Sequence, residues 1–439
     1  MTPPDSPIRT ATIKSVKVTD LFGTYSYQLT PSSKSVGDDS LFLLYGENGA
    51  GKSTILKLLF HILNPEPYAG HRTFISTVPF KSVDIALNSG AKISVVKQNP
   101  FSTTDYKLIV ESSHPKFNSS WDWDAQVKQK GDPVYARICK FLEEHGPNLF
   151  FLPDNRKMEG ISPPIQDPRI VDWDSHMIIH AAASRAQESL EELTAEAITR
   201  MAAWFSQQAL SDTNTGYTSV NTIYVDLLTT IVGKKRSKPS ETDLSASELQ
   251  AKLEFLNQRN SQFSRYGLTP ELDIDKLGSL LAKAKPEDSS LLATVLKPYL
   301  DGHNARLDAL AKTQKTIDQF VSTIADFFVE KTLQFRLGDG VSITSSIGRP
   351  LKPEVLSSGE KQLLLLFCNA ITARKDGTVF IIDEPEISLN VKWQRRLIRS
   401  LLSCLSGVKA QIVMATHSIE ILSQYEEFVT PLKNSKLKA

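Results

Sequence analysis

One stretch restricts the fold more than any other: LFLLYGENGAGKSTILKLL, from Leu41 to Leu59. Leu41 to Tyr45 is too short and too apolar for anything but a buried strand, and a helical pattern runs from Ser53 to Leu63. Between them, Gly46-Glu47-Asn48-Gly49-Ala50-Gly51-Lys52-Ser53 has the spacing GxxxxGK[ST]. Glycines let backbone N–H groups turn inward around phosphate oxygens, and the positive end of the following helix faces the same anion. This makes Gly46, Asn48, Gly49, Ala50, Gly51, Lys52, Ser53 and Thr54 a nucleotide-binding set. Lys52 is expected on the β- and γ-phosphates, and Ser53 on a magnesium ion.

Three segments near the other end of the chain supply what a phosphate site needs for hydrolysis. Val379 to Glu384 is an apolar strand ending in two carboxylates, which sets Asp383 beside the magnesium ion and Glu384 beside the γ-phosphate as a general base. Met414-Ala415-Thr416-His417-Ser418 ends another buried strand and offers His417. Leu356-Ser357-Ser358-Gly359-Glu360 opens a strongly apolar helix. By itself it reads equally as an N-capped helix of the [ST]-x-x-[EQ] kind or as a second anion site.

Together these motifs resemble ABC-type ATPases. LSSGE is similar to their LSGGQ signature, and its spelling resembles the SMC, recombination and OLD group rather than membrane transporters. The resemblance implies ATP and Mg2+ as cofactors, Glu384 and His417 as catalytic residues, and Ser53 and Asp383 as metal ligands. It also implies that Ser357, Ser358, Gly359 and Glu360 meet the nucleotide of a second copy, so that hydrolysis needs a head-to-head dimer. Pro385 to Asn390 matches the D-loop, with Asn390 where histidine is frequent. The Q-loop falls on FFLPDNRK, with Asn155 as candidate and Gln98 as rival; adenine contacts fall near Phe22 to Tyr27.

The expected fold is α/β: an ATPase head assembled from both chain ends, with an inserted helical, short coiled-coil arm. Residues 1–175 form the first lobe, 176–334 the insertion and 335–439 the second lobe. Residues 8 to 30 read as two strands, 75 to 112 as an antiparallel sheet, Pro133 to His145 as a helix and Asn148 to Leu152 as a buried strand. From about 180 the texture turns rich in Ala, Glu and Leu. Leu249, Leu253, Leu256, Asn260 and Phe263 recur at steps of four and three, as do Leu296, Leu300, His303, Leu307, Leu310, Gln314, Ile317, Val321, Ile324 and Phe328. That rhythm predicts a heptad seam and an antiparallel hairpin, with ordinary helical packing as the alternative.

Composition bears on partners. Fifty Lys and Arg against 49 Asp and Glu leave a net charge of +1, so no bulk electrostatic pull toward nucleic acid exists. The basic run Lys234-Lys235-Arg236 reads as a solvated loop. Three scattered cysteines show no disulfide or zinc spacing, and no apolar run reaches membrane length, which predicts a cytoplasmic protein without membrane contact. A head with a short arm and no fused nuclease resembles the ATPase subunits of anti-phage defence systems, AriA-like of PARIS or PtuA-like of Septu. That implies a separately encoded nuclease effector, a phage trigger protein, and a dimer or a higher assembly such as a trimer of dimers. DNA is a further candidate partner, through a repair-type clamp on duplex DNA. A nucleotide-gated scaffold with little turnover is a third alternative.

Overall fold

A computed structural model describes residues 11–32, 40–67, 70–113, 115–124, 132–154, 189–233, 246–272, 279 and 289–434. The chain divides into two compact units: Met1–Ala195 with Leu356–Ala439, and Glu196–Val355. The sequence placed these junctions at 175 and 334.

The first unit opens with β1 (Ile13–Leu21) and β2 (Tyr25–Leu29), then β3 (Ser40–Tyr45), α1 (Lys52–Leu63) and α2 (His71–Thr77). Next come β4 (Ser82–Leu87), β5 (Lys92–Val96), β6 (Asp105–Glu111), β7 (Ser119–Asp124), α3 (Pro133–His145) and β8 (Asn148–Leu152). The second unit holds most of α4 (Leu190–Gly233), then α5 (Ala246–Ser264), α6 (Ser289–Ala325), β9 (Lys331–Arg336), β10 (Gly340–Ser345) and β11 (Pro350–Leu351). The first unit resumes with α7 (Ser358–Thr372), β12 (Thr378–Asp383), α8 (Val391–Leu405), β13 (Ala410–Ala415), α9 (Ile419–Leu422) and β14 (Val429–Pro431).

Two sheets clamp α1. One is parallel, in the order β14-β3-β13-β12-β8, so both chain ends supply its strands. A parallel sheet covered on both faces demands continuous apolar strands. Leu41 to Leu44 and Val379 to Ile382 meet that demand, being buried throughout. The other sheet is antiparallel, in the order β2-β1-β4-β5-β6-β7. Its strands alternate, as SVDIAL of β4 does, because only one face meets the core. Ile55, Leu56, Leu59 and Phe60 of α1 join Val379 and Val413 of one sheet and Ile85 and Ile93 of the other in one core. Each such side chain contributes about 1.5–3 kcal/mol by leaving water. Gln411 of β13 ties the sheets together: it accepts from Ile13 N at 2.7 Å and donates to Ile13 O at 2.9 Å.

Register decides what the parallel sheet presents. Asp383 pairs with Ala415, and Ala415 with Leu44, so β3, β12 and β13 end side by side. The loops that follow leave from one edge, the carboxyl edge where open α/β sheets bind ligands.

Two expectations are corrected. Residues 75 to 77 belong to α2, and the antiparallel sheet resumes only at Ser82. The helix ends under the buried Lys97 ammonium, which donates to Ser76 O at 2.6 Å and Val78 O at 2.7 Å. The two seam helices run parallel, not as an antiparallel hairpin. Asn260 meets His303 at 3.0 Å, Arg259 meets Asn304 and Asp308, and Arg265 and Tyr266 meet Asp318, so partners rise together along α5 and α6. The chain has already turned back after α5, where Asn260 donates to Pro270 O at 2.9 Å and accepts from Thr269 Oγ1 at 2.8 Å. The seam also drifts: beyond Leu310 the buried positions of α6 are Thr313, Thr316, Ile317, Phe320, Thr323 and Ile324, while Gln314 and Val321 are half-buried. A straight helix of 3.6 residues per turn drifts so when it packs on several neighbours. Here α6 meets α4 through Thr313 and Asp212, and it also packs on β9. Lys234-Lys235-Arg236 lies outside the described residues.

Candidate nucleotide site

The strand β3 ends at Tyr45, and the chain turns through two left-handed glycines, Gly49 at φ +82° and Gly51 at φ +85°. Gly51 has a second reason to be glycine. A Cβ there would lie 2.7 Å from Leu21 Cδ2, because the β1–β2 turn rests on the loop. Tyr27 of β2 donates its hydroxyl to Ala50 O at 2.9 Å, and burial pushes that phenol up to about 12. No side chain caps the start of α1. Its first N–H groups point at the place where the motif puts phosphate.

Lys52 is buried. Its ammonium donates to Gly46 O at 3.0 Å, Glu47 O at 3.2 Å and His417 Nε2 at 2.5 Å. Burial lowers the lysine below its ordinary value, against the opposing pull of Glu384, Asp383 and Glu386. Burial and the Lys52 charge likewise lower His417. The contact with the Lys52 ammonium is met when Nε2 carries no proton and accepts. Glu384 Oε1 lies 3.4 Å from the same nitrogen. The structure thus brings Lys52, Glu384 and His417, candidates from three distant segments, into one cluster.

Asp383 closes β12 and is 2% exposed, yet no donor reaches hydrogen-bond geometry at either carboxylate oxygen. Burial raises it to about 6; Ser53 beside it works the other way, and nearby Asp154 adds to the rise. A buried carboxylate next to a hydroxyl at the start of a phosphate-binding helix suits a hard divalent cation. Ser53 and Asp383 therefore fit the expected Mg2+. Burial, then Glu386, raises Glu384 to about 8. Glu384 also sits at φ +47°, a left-handed conformation that costs a non-glycine residue and recurs at functional sites.

The signature segment stands apart. Ser357 caps α7 in a full capping box: Glu360 N donates to Ser357 Oγ at 3.3 Å, and Ser357 N to Glu360 Oε2 at 2.7 Å. Ser357 and Ser358 are exposed, while Gly359 and Glu360 are buried. A Cβ at Gly359 would lie 2.6 Å from Ser388 O, so the helix start and the loop after Glu384 touch. Among the described residues no hydrogen bond or ion pair links Ser357 or Ser358 to Gly46–Thr54. Asn390 caps α8 by accepting from Trp393 N at 3.0 Å. Asn155 lies outside the described residues, though Asp154 beside it is near enough to raise Asp383. Gln98 follows β5 in the antiparallel sheet, and among the described residues no hydrogen bond or ion pair links it to this cluster.

Tyr27 fell within the segment expected to meet adenine, and the structure shows its hydroxyl holding Ala50 O of the glycine loop. Sequence reasoning missed Glu386, whose Oε1 accepts from Thr416 Oγ1 at 2.7 Å, His417 N at 2.6 Å and Ser418 N at 3.0 Å. A third acid two residues beyond Glu384 was visible, but nothing in the sequence aims it at His417.

Residues 29–212 match a family described as ABC transporter. Residues 233–423 match one described as "AAA domain, putative AbiEii toxin, Type IV TA system". No curated protein matches the chain. Among solved structures, the Smc head domain with an extended coiled coil, bound to the C-terminal domain of ScpA, from Pyrococcus furiosus is 12% identical with a TM-score of 0.42. That alignment covers 97% of this chain and 94% of the other. The Smc head domain with a coiled coil and joint from Pyrococcus yayanosii is 12% identical with a TM-score of 0.40, covering 96% and 95%. The two family matches support a class, the ABC-type P-loop ATPases. Among the described residues no helix is long and apolar enough to cross a membrane.

Proposed function

We propose that the chain hydrolyses ATP in a site completed by a second copy, and that turnover controls a separately encoded nuclease in an anti-phage defence assembly. The observation that carries the ATPase reading is the convergence of Lys52, Asp383, Glu384 and His417 at the carboxyl edge of the parallel sheet. Lys52 directs its protons to Gly46 O, Glu47 O and His417. A triphosphate offers it far stronger acceptors, so binding releases His417 to face the γ-phosphate. Mg2+, held by Ser53 and Asp383, would neutralise charge on the phosphate oxygens. Glu384 takes the proton of the attacking water.

Completion by a second copy is supported by the exposure of Ser357 and Ser358 and by exposed apolar side chains beside them in the fold. Ile387, Val391 and Ile419 are 41%, 49% and 77% exposed. Arg395 of α8 pairs with Glu420 of α9 at 2.6 Å, which brings the Val391 and Ile419 segments together. The defence role rests on the AriA- or PtuA-like resemblance, and the toxin–antitoxin wording of the family matched by residues 233–423 agrees with it.

Complementation tests the shared site. Lys52→Ala removes the ammonium, and Ser357→Arg places a bulky cation where the partner's γ-phosphate would sit. Each variant alone should be inactive. Mixed, they form interfaces with one intact P-loop facing one intact signature, and partial ATPase activity should return. No recovery, with subunit exchange demonstrated, would reject the shared site. Steep salt-dependent duplex binding without capture of a co-expressed nuclease would favour a DNA clamp instead.

A further inference from the structure

We propose that Glu386 is a positioning residue for the hydrolytic set: its carboxylate gathers the loop after β13 and so sets the His417 imidazole between Lys52 and Glu384. This rests on the ATPase reading above and adds a residue to it.

The geometry is specific. One oxygen, Oε1, receives the Thr416 hydroxyl and the consecutive backbone N–H groups of His417 and Ser418, at 2.7, 2.6 and 3.0 Å. Successive N–H groups aimed at one point form an anion-binding nest. Here the anion is built into the chain. Three hydrogen bonds converging on one oxygen fix the loop well. Ser418 N also reaches Thr416 Oγ1 at 3.0 Å, which closes the small ring around the carboxylate. The backbone on either side of His417 is therefore held, and the side chain leaves from a defined point.

The other end of Glu386 is equally fixed. Ile387 N donates to Glu384 O at 3.2 Å, and Leu389 N to Glu386 O at 2.9 Å, closing a tight turn. Gln362 of α7 donates to Pro385 O at 2.9 Å. Glu386 thus connects a turn seated on the helix that follows the signature to the loop carrying His417. The main chain that fixes Glu384 is the same main chain that fixes Glu386. Movement of that turn reaches the general base and the histidine together.

A purely structural tie would lower stability or activity without regard to His417. A positioning role requires that most of the loss disappear once His417 is gone. The test is a double-mutant cycle on the full chain, measuring steady-state ATP hydrolysis for wild type, Glu386→Ala, His417→Ala and the double variant. Glu386→Ala should lower kcat about 10²-fold with little change in KM, as loss of positioning does. In the His417→Ala background the same change should cost under about a tenth of that factor. Glu386→Gln keeps an oxygen acceptor for the nest and should recover part of the rate. It also replaces Glu386→Ala in the cycle if that variant loses cooperative unfolding. Equal losses in both backgrounds, or full activity of Glu386→Ala, would overturn the proposal while leaving the ATPase reading intact. A wild-type chain that hydrolyses no ATP would overturn both.

Discussion

At the scale of single residues, Asp383 carries the clearest physical signature of the site. Its carboxylate is buried at a strand end beside the Ser53 hydroxyl, and burial raises its pKa from 3.8 to about 6. The folded chain therefore binds more protons than the unfolded chain between those values. Stability owed to this group is whole below about pH 4, falls as pH rises through 6 and stays lost above. The cost reaches about 3 kcal/mol at neutral pH, from a shift of about two units at 1.36 kcal/mol each. Asp383→Asn removes the charge and keeps the shape. Without Mg2+ and nucleotide it should melt higher than wild type at pH 7.5, with the difference shrinking toward zero at pH 4, in parallel calorimetric scans. A variant no more stable than wild type at pH 7.5 would mean that the carboxylate is already compensated. The same residues show the limit of motif reading: Lys52, Asp383, Glu384 and His417 announce themselves by spacing, whereas Glu386 and Tyr27 act through contacts that no spacing encodes.

At the scale of elements, the start of α7 fulfils the capping reading of its motif, and its exposed serines leave room for the anion reading. LSSGE is a capping box, and it also presents Ser357 and Ser358 to solvent. Gly359 is required by neither feature alone. It is required because Ser388 O would sit 2.6 Å and Trp393 Cζ3 3.1 Å from any Cβ there. Gly359→Ala must push the loop after Glu384 aside, at about 1–3 kcal/mol, the usual cost of overpacking. Thermal denaturation of the nucleotide-free protein should show the loss, while Ser358→Ala, at an exposed site, should leave the midpoint in place. An unchanged midpoint for Gly359→Ala would show that the loop yields freely. The helices of the second unit teach a different lesson. An apolar seam has the same spacing whichever way a helix runs, so the pattern in α5 and α6 identified buried faces and left direction open. Side-chain partners such as Arg259 with Asn304 and Tyr266 with Asp318 reveal the parallel arrangement.

At the scale of the whole molecule, the parallel sheet draws β3 and β8 from one end of the chain and β12, β13 and β14 from the other. The candidate nucleotide site therefore exists only when both ends have met. A chain with one P-loop and one exposed signature segment is expected to change its association state with ligand. Glu384→Gln should bind Mg·ATP, turn over about 10²–10⁴-fold more slowly for want of a general base, and accumulate as a closed dimer. Light scattering coupled to size exclusion should register the added mass with Mg·ATP and not with ADP. Lys52→Ala should stay at its nucleotide-free mass in both. Equal masses for Glu384→Gln with and without ATP would detach hydrolysis from association.

By itself the sequence determined the local grammar. Strand, glycine loop and helix at 41–63, the buried strands ending at Asp383 and Ala415, and the helix Pro133 to His145 were all legible, because short-range sterics and burial on both faces leave those residues little choice. Tertiary structure alone decided register, direction and company. It set Asp383 beside Ala415 and Ala415 beside Leu44, turned α5 parallel to α6, and closed Glu386 around the loop of His417. These are contacts between residues tens to hundreds of positions apart. Their energies depend on which surfaces meet, and a one-dimensional pattern records the surfaces without recording the meeting.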